Sequence, residues 1–421
     1  LCKSQAALHK KNLGNSYGKQ LILLNLANKI ILMIKTYFGL KTIALLALIA
    51  TGVQSAFSQT NLSRKKADAI ATTELQAQIA QQKVKAQAEW AVKKVQHKNF
   101  TMKFTTQIFG EKPKDGRSLY ISLHGGGGTT AKMNDGQWEN QKKLYTPKEG
   151  VYFVPRSPVD AWNMWHDYPM DELLAEVIKS EIAIDDVNPD KIYVMGYSAG
   201  GDGVFQLAPR LADYWGAAAM MAGHPGDAQI LNLKNIPFTA FVGGKDAAYK
   251  RNELVAQWGK RMDSLAIVYP GSFVHDTHVY PDMPHWMGRK DTIAVPWMAS
   301  FKRNALPKDI IWVQDDILRN QFYWLGTDVT TSKQGFKTRV AVKDNDITIL
   351  DNENPTLYIY LNDNLINLDK KITVTINGKK VFDNKVHRKA DLIKESIAAR
   401  LDKSLIFSGK LVVKNGEVTA I

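Results

Sequence analysis

Gly196-Tyr197-Ser198-Ala199-Gly200-Gly201 is the stretch on which the reading of this chain turns. It follows the apolar run Lys191-Ile-Tyr-Val-Met195, which reads as a buried strand. It precedes Asp202–Ala212, where apolar residues recur at helical spacing. A G-x-S-x-G pentapeptide between a strand and a helix is the context of a nucleophile elbow. Small residues around Ser198 permit a turn so sharp that the serine is forced into a strained conformation, its hydroxyl presented above the sheet edge. The same residues also read as a glycine-rich strand-to-helix turn that happens to hold a serine, and the rest of the chain decides between the two.

A serine hydroxyl is a poor nucleophile until a base takes its proton and a third group orients that base. After an elbow the partners follow in the order acid, histidine. Ile236–Val242 reads as the next parallel strand and runs into Gly243-Gly244-Lys245-Asp246. Val274–Tyr280 reads as another, followed by Pro281-Asp-Met-Pro-His285-Trp286. Asp246 and His285 therefore fall in loops past the C-terminal ends of strands, where open α/β sheets place their sites. Upstream, the strand Leu119–Leu123 enters His124-Gly125-Gly126-Gly127-Gly128. Glycines there let backbone N–H groups face a developing oxyanion, and in a dry site each such donor lowers the barrier by roughly 3–4 kcal/mol. One donor is expected from Gly126 or Gly127 and the other from Ala199. No Gly-Lys-Ser/Thr follows the glycines, so the run is not a phosphate loop.

Taken together, His124-Gly-Gly-Gly, Gly-Tyr-Ser198-Ala-Gly-Gly, Pro-His285-Trp and the run Asn188-Pro-Asp-Lys-Ile-Tyr-Val resemble the polyhydroxybutyrate depolymerase and feruloyl esterase-like branch of the α/β-hydrolases. The resemblance covers roughly residues 100–305. It implies an α/β-hydrolase fold, a mostly parallel sheet flanked by helices. It also implies hydrolysis of a carboxylic ester through an acyl-serine intermediate, with Ser198 as nucleophile, His285 as base, Asp246 as orienting acid and no metal or organic cofactor. The fold hosts many chemistries, so the ester remains open: a small molecule, a polyester or an acylated polysaccharide. Two other functions fit the same residues. A prolyl-oligopeptidase-type serine peptidase shares the elbow and the order of partners. It usually carries a large N-terminal propeller, and propeller blades need about 40 residues each. A non-catalytic carbohydrate-binding or adhesion protein on a hydrolase scaffold would leave the constellation idle.

Candidate substrate contacts are His124, Trp162, Trp165, Tyr197 and Trp286. Trp162 and Trp165 lie in the aromatic-rich loop Pro155–Tyr168, on the catalytic edge. There they serve either as a platform for an acyl or sugar group or as a cover for the sheet. His275 and His278 differ by an odd number of positions on a strand, so they point to opposite faces and make no metal pair with His285. His224 either lines the pocket or makes structural hydrogen bonds.

Hydrophobic residues make up 45% of the chain and charged residues 23%, which suits a globular protein with a sizeable core. Its 421 residues suggest two or three domains. Residues 1–32 contain no methionine and read as upstream sequence. From Met33 a secretory signal is expected: Lys35 and Lys41, the apolar run Thr42–Ala50, and Ala56-Phe-Ser58 as a cleavage site. That apolar run falls short of the roughly 20 residues a membrane span needs. Residues 1–58 are thus read as leader and signal peptide, with export to the periplasm or beyond and no stable membrane span once the leader is removed. The only cysteine, Cys2, lies in that leader, so disulfides, thiol catalysis and cysteine zinc sites are excluded from the mature chain. The net charge of +14 falls to +7 without the seven lysines of residues 1–58. Of this remainder, +5 lies within Arg64–Lys98. No nucleic-acid-binding module accompanies it, so no nucleic-acid partner is expected.

Residues 59–98 are expected to form an amphipathic helix over Leu62–Gln96, with Ala67, Ala71, Leu75, Ile79, Ala86 and Trp90 on the docked stripe. Residues 99–305 are the expected catalytic domain. Beyond Leu306, short alternating strands, an Asn377-Gly378 hairpin signal and one helix at Asp391–Arg400 suggest a β-rich, sandwich-like module over 306–421.

Overall fold

Between Lys94 and Tyr280 the chain lays down the eight strands of its main sheet: β1 (Lys94–His97), β2 (Phe100–Phe109), β3 (Arg117–Leu123), β4 (Gly150–Arg156), β5 (Val187–Tyr197), β6 (Ala217–Met221), β7 (Phe238–Gly243) and β8 (His275–Tyr280). The computed structural model describes residues 61–421, which form one unit. The expected leader and signal peptide at 1–58, with Cys2, lie outside the described residues.

The strands run in the order β1-β2-β4-β3-β5-β6-β7-β8. β2 is antiparallel to both β1 and β4, and every neighbouring pair from β4 to β8 is parallel. A long helix, α1 (Arg64–Val92), precedes the sheet. Parallel neighbours need crossovers, and α2 (Ala131–Gln141), α3 (Met170–Asp185), α4 (Ala199–Arg210) and α5 (Arg251–Val268) lie between successive strands; α6 (Ala294–Ala299) follows β8. Sheets covered on both faces read as continuous apolar runs. Accordingly β4, β6 and β7 are buried at every position. Side-chain alternation divides the strands between two cores, with Leu119, Ile121, Val194 and Ala218 in one and Tyr120, Tyr193, Met195 and Ala219 in the other. This is the α/β-hydrolase fold that the sequence led us to expect.

Helix α1 starts where the Ser63 hydroxyl accepts the Lys66 N–H. Its buried Ala67, Ala86 and Trp90 and the half-buried Ala71, Leu75 and Ile79 pack on the core, with the Trp90 ring 4.7 Å from that of Phe104. The helix is shorter than the expected Leu62–Gln96. Lys93 turns left-handed (φ 53°), closing its N–H on the carbonyls of Glu89 and Trp90, and residues 94–97 pair instead with β2 as an edge strand. No helix among the described residues is long and apolar enough to cross a membrane.

After α6 come β9 (Asp309–Val313), β10 (Gln321–Phe322), β11 (Leu325–Thr327), β12 (Lys337–Lys343), β13 (Asp346–Asn352), β14 (Thr356–Leu361), β15 (Ile372–Ile376), β16 (Lys379–Asn384), α7 (Ala390–Arg400), β17 (Gly409–Lys414) and β18 (Glu417–Ala420). They form two five-stranded sheets, β16-β15-β13-β12-β9 and β10-β11-β14-β17-β18. Strict in–out alternation along β12, β14 and β17 gives each sheet one apolar face. Asn377 (φ 49°) and Gly378 (φ 75°) make the two left-handed positions of the β15–β16 turn. Buried polar contacts tie these sheets to the main one. Arg400 pairs with Asp213, Arg303 Nη1 lies 2.7 Å from Asp402, and Asn232 exchanges two hydrogen bonds with the Val313 backbone.

Candidate active site

Ser198 occupies the turn between β5 and α4 at φ 59°, ψ −121°, a conformation that costs a non-glycine residue roughly 1–3 kcal/mol. The turn closes because its neighbours lack side chains. A Cβ on Gly196 would lie 2.3 Å from the Gly200 carbonyl oxygen, and one on Gly200 would lie 2.1 Å from that of Leu123. The Ser198 N–H donates to the Met221 carbonyl (2.9 Å), and the Ser198 carbonyl accepts the Asp202 N–H (2.9 Å).

Asp246 follows β7 and His285 follows β8. His285 Nδ1 lies 2.7 Å from Asp246 Oδ2, and its Nε2 lies 3.0 Å from Ser198 Oγ. A carboxylate only accepts, so Nδ1 carries the proton and Nε2 turns a lone pair to the serine hydroxyl. Asp246 is buried, while the His285 side chain keeps 42% of its surface open. Tyr197 holds the loop that carries His285. Its hydroxyl donates to the His285 carbonyl (2.7 Å) and accepts the Met287 N–H (3.0 Å). His275 bonds Asp263 (3.1 Å) and His278 stacks on Phe241 (4.6 Å), both away from His285. Among the described residues no group of three or more His, Cys, Asp or Glu side chains is placed to hold a metal ion.

The glycine loop after β3 lies against the serine. A Cβ on Gly125 would come within 3.2 Å of Ser198 Cβ. The backbone N–H groups of Gly126 and Ala199 have no partner among the described residues. Gly127 does not fill the role expected of it, because its N–H donates to Asn134 Oδ1 (3.1 Å). Asn134 was not marked by the sequence, yet it shapes this loop. Its Nδ2 donates to the Gly127 carbonyl (3.1 Å) and to Asp160 (2.7 Å), and its Oδ1 fills the space a Cβ on Gly126 would need. Burial works to raise the Asp160 carboxyl, but hydrogen bonds from Asn134 and Arg156 outweigh it and hold the group below its ordinary value.

Two expected substrate contacts are corrected. His124 and Trp165 are wholly buried and border neither cavity at the serine. Trp165 Nε1 donates to the His124 carbonyl (2.8 Å), and the rings meet edge to face at 4.9 Å. His124 Nδ1 donates to the Gly125 carbonyl (2.6 Å), and Nε2 accepts the Ser157 N–H (3.3 Å). Both nitrogens are satisfied in the neutral ring, and burial pushes the imidazole down to about 4. These two residues brace the loop from beneath.

Two cavities flank Ser198. The first, about 530 Å³, is bordered by Gly126, Ala199, Trp162, Asp202, His224 and Arg251. His224 both lines it and accepts the Gly226 N–H (3.0 Å). Arg251 lies 3.9 Å from Asp246 Oδ1, and its guanidinium sits over the Tyr249 ring at 4.9 Å. The second, about 750 Å³, is bordered by Ser198, His285, Tyr197, Trp286, Lys143 and Arg289. Trp162 is 71% exposed and Trp286 48% exposed, so each offers an open indole face, one per cavity.

No protein-family model matches the chain, and no curated protein matches it in sequence. Solved structures resemble it. A thermostable esterase is 17% identical over 50% of this chain and 62% of its own, at a TM-score of 0.40. A phospholipase/carboxylesterase from Dyadobacter fermentans is 18% identical over 47% and 97%, at 0.34. Est1E from Butyrivibrio proteoclasticus, with ferulic acid bound, is 12% identical over 49% and 96%, at 0.33. The chain thus spans less than two thirds of the thermostable esterase, and at these identities the likeness is one of fold alone.

Proposed function

We propose that this protein is a serine hydrolase that cleaves carboxylic esters through an acyl-serine intermediate. Ser198 is the nucleophile, His285 the base and Asp246 the orienting acid; the N–H groups of Gly126 and Ala199 receive the oxyanion. The observation that carries this reading is the relay Asp246–His285–Ser198, at 2.7 and 3.0 Å, beside two open backbone donors. Ser198 Oγ attacks the ester carbon as His285 Nε2 takes its proton. The carbonyl oxygen gains charge against the two N–H groups, and His285 then returns the proton to the departing alcohol. Water then attacks the acyl-serine as His285 Nε2 takes its proton, and His285 returns that proton to Ser198 Oγ as the acid departs. No step calls for a metal or an organic cofactor.

Within this class we place the chain in the polyhydroxybutyrate depolymerase and feruloyl esterase-like branch, on its glycine loop, elbow and Pro-His285-Trp motif. Its substrate would be a small-molecule or polymeric ester, with Trp162 and Trp286 as flat faces for its two halves. We further propose that the protein is exported, on the signal read in residues 33–58. Purified protein should turn over p-nitrophenyl esters of graded acyl length, feruloyl and acetyl sugars beside them, and leave prolyl-peptide anilides intact. Cleavage of the anilides alone would point to the peptidase, and a folded protein inert toward all of them would point to a binding protein.

A further inference from the structure

The two cavities at Ser198 are not equivalent, and proton transfer assigns them. This inference rests on the ester-hydrolase reading above. His285 Nε2 must hand a proton to the departing oxygen, so the alcohol leaves on the side that this imidazole faces. Ser198 and His285 both border the second cavity and neither borders the first. The first meets the reaction centre through Gly127 and Ala199, and Gly126 borders both cavities. The acyl group therefore lies in the first cavity and the alcohol in the second.

The charges of the two differ as well. The first cavity sets Asp202 and Asp227 against Arg251. The second holds Lys143 and Arg289 and no aspartate or glutamate. Neither cation has an ion-pair partner among the described residues, although the adjoining Lys142 is paired with Glu139 at 2.5 Å. Arg289 donates one hydrogen bond, from Nη2 to the Leu144 carbonyl (2.7 Å), which leaves the rest of its five-donor fork open. The nearest carboxylate in sequence, Asp291, is buried and bonded to the Tyr145 hydroxyl. Met133, Leu144 and Trp286 supply apolar wall to the same cavity. Two open cations lining a partly apolar cavity suit an anion carried on a carbon skeleton, and an arginine fork suits a carboxylate best.

We infer that the alcohol half of the substrate carries a carboxylate, received by Arg289 and Lys143. Hydroxy acids and uronic acids both supply such an alcohol, and the test separates them. The full chain would be assayed with a matched pair, the acetyl esters of 4-hydroxybenzoate (anionic) and 4-hydroxybenzamide (neutral). Alongside would run O-acetyl-3-hydroxybutyrate and O-acetyl-galacturonate. Wild type should favour the anionic aryl ester by about tenfold in kcat/KM, a preference that shrinks in 0.5 M salt as surface charge is screened. Arg289→Gln and Lys143→Gln should each shrink the anionic-to-neutral ratio several-fold, and Arg289→Lys should restore part of it. The better of the two natural alcohols names the source. Equal rates on the matched pair, or a ratio untouched by both variants, overturns the inference while leaving the esterase reading intact. Failure to turn over any ester overturns both.

Discussion

Along the C-terminal edge of the main sheet, Ser198 holds a strained backbone, Gly126 and Ala199 leave N–H groups open, and His285 keeps its ring partly exposed. In and around the two C-terminal sheets most buried polar side chains are instead paired, although Asp213 Oδ1, Asp315 Oδ2, Arg319 Nε and Arg400 Nη1 each lack a partner among the described residues. Arg400 meets Asp213, Arg388 lies 2.6 Å from Asp363, Thr338 bonds Asn352 at 2.9 Å, and Ser332 bonds Asn354 at 2.6 Å. A site that acts on a substrate must leave donors and lone pairs unclaimed until the substrate arrives, whereas a support is stabilised by pairing most of its charged groups. The two regions should therefore fail differently, one in rate and the other in stability.

The largest effect is expected at the relay. Asp246→Asn should lower kcat by about 10⁴-fold, and His285→Ala should be still more damaging, with far-UV spectra and cooperative unfolding preserved in both. His275→Ala and His278→Ala, whose rings lie elsewhere, should keep most of the activity. A relay variant that unfolds the protein, or a His278 variant that silences it, would erase the contrast between the two regions. On the other side, Arg400→Met strands the buried Asp213 carboxylate and should cost about 3–5 kcal/mol in urea unfolding. Its kcat/KM at low temperature should match wild type; a loss of rate ahead of a loss of stability would show that the C-terminal sheets take part in the chemistry.

His124 tests the brace beneath the site. Its folded-state value lies near 4, below the ordinary 6.5, because the buried ring is held neutral. Between those values the unfolded chain binds the extra proton and the folded one does not, so stability is lost as pH falls from about 6.5 toward 4. The full span corresponds to roughly 3 kcal/mol. Urea midpoints at pH 7 and pH 4.5 should show a smaller pH-dependent loss in His124→Asn than in wild type, and equal losses would refute the assignment. The smallest effect is expected at Asn134, a positioning residue. Asn134→Ala should lower kcat by about tenfold, less than loss of a direct oxyanion donor, with KM nearly unchanged. A rise in KM at constant kcat would place it in binding instead.

How much of this was legible beforehand depends on the range of the interaction. The elbow and the convergence of Asp246 and His285 on Ser198 were readable because each is marked locally: glycines at 196 and 200 that no other residue can replace in so close a turn, and loops that begin where apolar strands stop. The alternating strands beyond Leu306 were readable for the same reason. Asn134 was not, because it sits in a polar helix with little apolar periodicity and acquires its role only when that helix lies against the glycine loop. Lys143, Arg251 and Arg289 escaped too, since the reach of a long cationic side chain is set by packing that no short window of sequence contains. Trp162 and Trp165 make the point within three residues. One is open at the first cavity and the other is wholly buried, and residue type alone does not separate them.

The central claim is that Ser198 alone carries the acyl group. Wild type and Ser198→Ala would be treated with a fluorophosphonate and analysed by intact mass, followed by peptide mapping of the adduct. A single adduct on wild type, mapped to Ser198 and accompanied by complete loss of esterase activity, with no adduct on the folded variant, is the result this account requires. Labelling at another residue, or esterase turnover surviving in Ser198→Ala, would contradict it.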